Sequence, residues 1–281
     1  MAITNFIPTV WSETLSRELD KQYIGVANCN RDFDGDIREM GSVVKICGLE
    51  NVAVRDYTKN VNMKSADTLT DFSTDLTINQ AKYFNFQIDD IDRAQASPKL
   101  MELAMKNAAN ALANTADAYV FNQALNAGHS IIDNELLLGA TLDHFIRARE
   151  ILYGANVMNN DDIVIEVTPV IASYIMKAKY NTASDNTALM ERGCIGSIAG
   201  CKVYVSQNVK TDILNEGSTI ISYCMMRTKR AIAFAEQLSE IQAYRPELRF
   251  ADAVKGLYLY GAKTIYPNEI VRLELKTLSS I

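Results

Sequence analysis

Histidine is nearly absent from this chain: two occur in 281 residues, His129 and His144. Neither belongs to an H-E-x-x-H or nucleophile motif, and no G-x-S-x-G is present, so the common zinc-protease and hydrolase signatures are excluded. Cysteine is sparse too, with five residues (Cys29, Cys47, Cys194, Cys201, Cys224), an odd number mostly far apart. A disulfide framework favours an even count in a short secreted chain, so reduced, cytosolic folding is expected. Cys194 and Cys201 stand seven positions apart with no CxxC and no histidine pair beside them, which argues against zinc. No uncharged apolar run approaches the ~18 residues of a membrane span. The opening "MAITNFIPTVWSETLSRELDK" lacks the basic and apolar regions of a signal peptide. An excess of positive charge is lacking as well: 28 basic residues face 34 acidic ones, for a net charge of −6. Such a chain has no global attraction for phosphate, which argues against sequence-specific nucleic-acid binding. A wall that repels nucleic acid packed against it is compatible with that charge.

The remaining candidates for chemistry are weak. "RDFDGDIRE" carries Asp32, Asp34 and Asp36, but counted from Asp32 the sixth and twelfth positions are Ile37 and Val43, not the glycine and glutamate of a calcium loop. It reads as a solvated acidic turn, and "IDDID" (Asp89, Asp90, Asp92) reads as a charged strand end. Glycines at 193, 196 and 200 fit neither the Walker nor the dinucleotide pattern, and a tight connection into the strand "CKVYV" is expected there. No cofactor is implied. A soluble α/β enzyme with a site of scattered Asp, Glu, Lys and Tyr is the alternative from another functional class. A pocket lined by Asp32, Asp34, Asp36 and His144 would support it.

What is present is an ordinary globular composition, 48% hydrophobic and 22% charged, long enough for about two domains. Residues 1–28 read as an arm with one amphipathic helix. Pro8 suits its start, and Trp11, Leu15 and Leu19 follow at four-residue spacing on one face. Two destinations are open for that stripe, the chain's own core and a neighbouring subunit. Around 83–88, Tyr83, Asn85 and Gln87 alternate with Phe84, Phe86 and Ile88, the period of a half-buried strand. Arg55 to Phe72 is polar and mixes Arg55, Lys59 and Lys64 with Asp56, Asp67 and Asp71. With little apolar material to bury it reads as a long hairpin projecting from the core, or else as a disordered surface loop.

The clearest helix is bracketed by Ser97, Pro98 and Gly128, which suit an N-cap, a first turn and a stop. Alanine-rich sequence between them predicts a rod of about 30 residues and roughly 45 Å. Thr141 is expected to cap a helix ending at Gly154, "DIVIEV" (162–167) to form a buried strand, and Thr168–Pro169 to start a further helix. Strand-like segments then run to about 245. This alternation predicts a compact α/β domain over about 130–245. The strongly patterned 254–275 returns, in this reading, to the long helix.

"IPTVWSETLSRELDKQYIGVANCNRDF", "GSIAGCKVYVSQNV" and "IQAYRPELRFADAVKGLYLYGAKTIYPNEIVRLEL" together resemble major capsid proteins of tailed bacteriophages, whose fold is shared with encapsulins and the herpesvirus capsid floor. The resemblance runs through almost the whole chain and lies in the order of five parts. It implies a mixed α/β (α+β) fold: an N-terminal arm over 1–28, an extended β-hairpin loop with its stem over 29–90, a peripheral domain with the spine helix over 91–130, an axial α/β domain over 131–248, and returning peripheral strands over 249–281. Tyr258, Tyr260, Val271, Leu273 and Leu275 would build the sheet beside the spine helix. Hinges are expected near Asn30–Gly41 and Asp89–Ser97. The implied function is structural, not enzymatic: self-assembly through pentamers and hexamers into an icosahedral shell around double-stranded DNA touched non-specifically. A portal and a separate scaffolding protein are implied partners, a membrane is not, and the site of assembly is the host bacterial cytoplasm. An encapsulin-like compartment shell is the nearest rival. Trp11, Leu15, Leu19, Arg55, Lys59 and Lys64 are the candidate subunit contacts. Covalent cross-linking through Lys59 or Lys64 has no local support and is not expected.

Overall fold

The computed structural model describes residues 15–20, 22–34, 41–49, 55–57, 59–60, 62, 65, 71–89, 100–133, 140–157, 162–177, 194–214, 219–248 and 250–278. Trp11, Asp36, Lys64 and Ser97 lie outside them. Mixed α/β architecture is plain: helices α1 (Leu100–Asn122), α2 (Ala140–Gly154) and α3 (Pro169–Lys177) stand among twelve strands in the described residues, and residues 15–20 of the arm are helical as well.

One core forms around α1. Its buried positions include Met105, Ala109, Leu112, Ala113, Ala116, Val120 and Phe121, spaced three and four apart on one stripe. Three of these are alanines, so the backbone can lie close to what it covers. That is the sheet of β10 (Ile232–Tyr244), β11 (Ala251–Thr264) and β3 (Gln80–Asp89), antiparallel in the order β10-β11-β3. Val254, Tyr258 and Tyr260 of β11 and Phe234 of β10 enter the helix-side cluster, with Phe84 and Phe86 of β3 packed against it. The expected alternation in β3 is present: Phe84, Phe86 and Ile88 are half-buried, while Tyr83, Asn85 and Gln87 are exposed. Among the described residues the α-helical turns end before the predicted stop. The helix spans 23 residues and tightens into a 3₁₀ turn over Gln123–Asn126. Gly128 directly follows Ala127, the C-cap of that turn, so the helical path does stop there. The Gly128 N–H donates to Pro267 O at 2.8 Å, and a Cβ there would meet that same oxygen at 2.8 Å, so glycine is required by close approach.

The other face of this sheet receives a hairpin stem. β1 (Val43–Leu49) pairs antiparallel with β2 (Asp71–Thr77), from Val43↔Thr77 to Leu49↔Asp71. Val44, Ile46, Leu76 and Ile78 pack on Ala233, Ala235 and Leu259. At Gly261 an added Cβ would lie 2.5 Å from Thr77 O, so a residue without one lets the stem seat.

A second core lies under a seven-stranded sheet, ordered β4 (His129–Asp133), β12 (Ile270–Leu278), β9 (Thr219–Thr228), β5 (Ile163–Val167), β7 (Cys201–Val205), β6 (Cys194–Ile198), with β8 (Thr211–Leu214) also paired to β9. All five residues of β5 are buried, as a continuous apolar run dictates. Helices α2 and α3 contribute Phe145, Leu152, Ile171 and Ile175 to this core. The Thr168 hydroxyl accepts from the Ile171 N–H at 3.4 Å, capping α3 as expected. Thr141 is inside α2 instead of capping it, while the helix does end at Gly154. β6 and β7 join through Ala199 and Gly200, both at positive φ (50° and 79°), the geometry of a tight two-residue hairpin turn.

The closing strands part company. Tyr258 and Tyr260 belong to the helix-side core, as the sequence predicts, but Val271, Leu273 and Leu275 are in the second core, because β12 pairs with β4 and β9. Conversely β10, placed by sequence within the axial unit, joins the spine-helix sheet.

Candidate functional site

The residues tested for chemistry do not converge. Asp34 is spent on Arg31 Nε (3.0 Å) and on the backbone N–H of Glu236 (3.1 Å). His144 Nε2 lies 2.9 Å from Asp133 Oδ2, holding α2 to β4. Asp32 lines an open groove of about 580 Å³ with Asp162, Lys229 and Arg230, two acids and two bases. Among the described residues no group of three or more His, Cys, Asp or Glu side chains could hold a metal ion.

Polar chemistry is instead concentrated where the arm meets both cores. Arg227 of β9, wholly buried, donates through Nε and Nη2 to the two oxygens of Glu166 on β5, at 2.9 and 2.8 Å. Its other contacts are the carbonyls of Asn28 (Nη1, 2.6 Å) and Gly25 (Nη2, 3.1 Å). One guanidinium thus ties the second sheet to the arm's root. From the spine helix, Asp117 accepts the backbone N–H groups of Val26 and Ile24 at 2.9 and 3.0 Å. Burial holds this carboxyl up at about 6, despite the lowering effect of those amides. Burial likewise pushes the Cys29 thiol, 3.6 Å from Arg227 Nη2, up to about 12. Such a thiol is not a nucleophile at neutral pH.

A second knot is half-buried. Arg31 donates to Asp20, Asp34 and Glu236, and Glu236 also accepts from the hydroxyls of Tyr23 and Tyr258. Asn30 forms a bridge with Ala233, donating to Ile232 O and accepting from Phe234 N, both at 2.9 Å. The expected hinge at Asn30 is therefore strapped down at its start. Residues 35–40 and 90–99 lie outside the described residues.

Of the six candidate contact residues, Trp11 and Lys64 lie outside the described residues, and the other four are not gathered. Leu15 and Leu19 are buried in the chain's own helix-side core, with Tyr23 and Val26. Arg55 and Lys59 are exposed on the hairpin beyond its stem, with Tyr57 between them at 75% exposure. Sequence reasoning did not single out Arg227, Glu166, Asp117 or Glu236. Their signal is a lone charge inside an apolar run ("CMMRT", "IVIEV", "TADAYV", "IAFAEQ"), where an ion needs a partner to be buried.

No protein-family model and no curated protein matches the sequence. Solved structures do. The chain is similar to a chain from Mycobacterium phage Che8, with a TM-score of 0.66 and 25% identity over 90% of this chain and 91% of that one. It is similar to the capsid of Ralstonia phage GP4, with a TM-score of 0.67 and 9% identity over 94% and 91% of the two chains. A virus-like particle from Pyrococcus furiosus matches with a TM-score of 0.58 and 11% identity over 96% and 100%. With likenesses of this kind over nine-tenths or more of its length, this chain is a capsid-fold protein.

Proposed function

We propose that the chain is a structural subunit that self-assembles into an icosahedral capsid shell enclosing phage DNA. The observation that carries the reading is the match to the Che8 phage chain over 90% of this one at 25% identity, supported by the likeness in fold to the GP4 capsid. The physical design agrees. Charged groups are paired within the fold at the arm root instead of facing a cleft, so chemistry is used to hold shape. Assembly proceeds through pentamers and hexamers, with Arg55 and Lys59 of the exposed hairpin, Lys64 beyond them and Trp11 of the arm making contacts between subunits. Leu15 and Leu19 anchor the arm to its own subunit, so that residues before them leave from a fixed point. Each contact is modest, and multivalency sums them. A scaffolding protein and a portal complete the particle in the bacterial cytoplasm, and an acidic wall lets packaged DNA slide.

A compartment shell around cargo protein is the second reading, favoured by the match to the Pyrococcus furiosus particle, at lower identity and TM-score. Expression of the chain alone in a bacterium, followed by sedimentation and electron microscopy, tests the proposal. Closed particles or capsomer rings are expected. A monomer that stays monomeric at high concentration overturns it, and particles that co-purify with one specific enzyme shift it to the compartment reading.

A further inference from the structure

At its root the arm makes a single 3₁₀ turn, Val26–Asn28, set between the two cores. Neighbouring side chains go to opposite sides of it. Val26 is buried with α1 in the helix-side core, while Ile24 packs on Val164, Cys194 and Tyr204 of the second sheet. A turn this short needs partners from outside for the polar groups at its ends, and its N-cap, Gly25, has no side chain to supply one.

Two buried ions from different elements supply them. At the amide end, Asp117 of α1 accepts from the Ile24 and Val26 N–H groups through separate oxygens, at 3.0 and 2.9 Å. At the carbonyl end, Arg227 of β9 donates to Gly25 O and Asn28 O, at 3.1 and 2.6 Å. An acid at the amide end and a base at the carbonyl end match the dipole of the turn. The seat is also close. Gly25 lies at φ −69° and ψ −45°, which any residue adopts, yet a Cβ there would stand 2.9 Å from the Phe121 ring. Contact with α1, not backbone freedom, selects glycine at this position.

We propose that this turn is a latch that couples the arm to the mutual setting of the two cores. Drawing the arm root from its seat breaks the grip of both Asp117 and Arg227, and so loosens α1 from β9. Parting α1 from β9 frees the arm root in turn, because such coupling is reciprocal. The cores also touch directly, with Met225 of β9 and Ile270 of β12 in the helix-side cluster. Those contacts are apolar and non-directional, whereas the four hydrogen bonds through the turn fix one position. The latch is a property of the single subunit and does not rest on the shell reading.

Hydrogen exchange on the full chain at about pH 7 reads the latch from its far side. D117N loosens the amide end alone. Amides in 163–167 and 222–228, across the turn from Asp117, are expected to exchange at least about fivefold faster, with the hairpin stem (43–49 and 71–77) unchanged. Acceleration confined to 24–29 and α1 would show that the turn transmits nothing, and equal acceleration of the stem would show general loosening. Either result overturns the latch. R227M/E166Q reads it from the opposite end, with faster exchange expected in 24–29 and in 113–121 of α1. An effect that stops at the turn contradicts the coupling. G25A keeps every ion in place and guards against a charge variant that does not fold. Its methyl group lifts the turn from Phe121, and 113–121 and 222–228 are expected to lose protection together. Loss in 113–121 alone contradicts the proposal.

Discussion

Arg227 and Glu166 form a two-point ion pair at 2.8 and 2.9 Å that is sealed from water, and the same guanidinium holds the carbonyls of Gly25 and Asn28. A buried pair of this kind is costly to break from one side, because the remaining charge is stranded. R227M or E166Q alone is expected to destabilise the subunit by about 3–5 kcal/mol. The double variant R227M/E166Q is expected to cost clearly less than the two singles summed, since neither ion is left alone. Urea unfolding of the unassembled subunit measures this. Additive costs would mean that the two side chains act independently.

Asp117 gives the fold a pH dependence of defined sign. Burial raises its carboxyl from 3.8 to about 6, so the folded chain holds a proton that the unfolded chain has released. The contribution is full below about pH 4 and lost as pH rises through about 6, amounting to about 3 kcal/mol. In D117N the step is absent. The stability difference between the unaltered chain and D117N should therefore fall between pH 4 and 6.5. A flat difference, or one that rises, contradicts the assignment.

Gly261 tests the seating of the hairpin stem. An alanine Cβ there would lie 2.5 Å from Thr77 O, a backbone atom that cannot swing aside. G261A is expected to cost about 1–3 kcal/mol from overpacking and to speed amide exchange in 43–49 and 71–77 more than in 100–122. Equal exchange in all three segments would show that the stem is not held at this point.

Charge reversal on the hairpin separates assembly from folding. Arg55 and Lys59 are exposed, so R55E/K59E is expected to shift subunit stability by no more than about 0.5 kcal/mol. The same variant is expected to lower the yield of closed particles at least tenfold. An unchanged yield removes these residues from the subunit interface.

Much of the local structure was legible in the sequence because it is set by neighbours in the chain. The 2-residue alternation of β3, the buried run of β5, the Thr168 cap and the turn at Ala199–Gly200 all follow from side-chain period or backbone permission. Strand partnership was not, because it is chosen between segments far apart in the chain: nothing local tells Leu273 to face Cys224 across the second sheet while Tyr258, fifteen positions earlier, lies in the first. The second role of Gly128 was hidden for a similar reason, since it serves a contact with Pro267, far along the chain. The arm-root knot was invisible as a unit. Arg227 and Glu166 are 61 positions apart, and only the fold shows that each is the other's counter-ion.

Small-angle X-ray scattering on the protein eluting from a size-exclusion column tests the central claim most directly. A compact monomer of this length has a radius of gyration of about 19 Å. The capsid account predicts closed particles many times larger, or capsomer rings that close into such particles on concentration. A single species that holds at about 19 Å under crowding, with no larger assembly at any concentration, would contradict it.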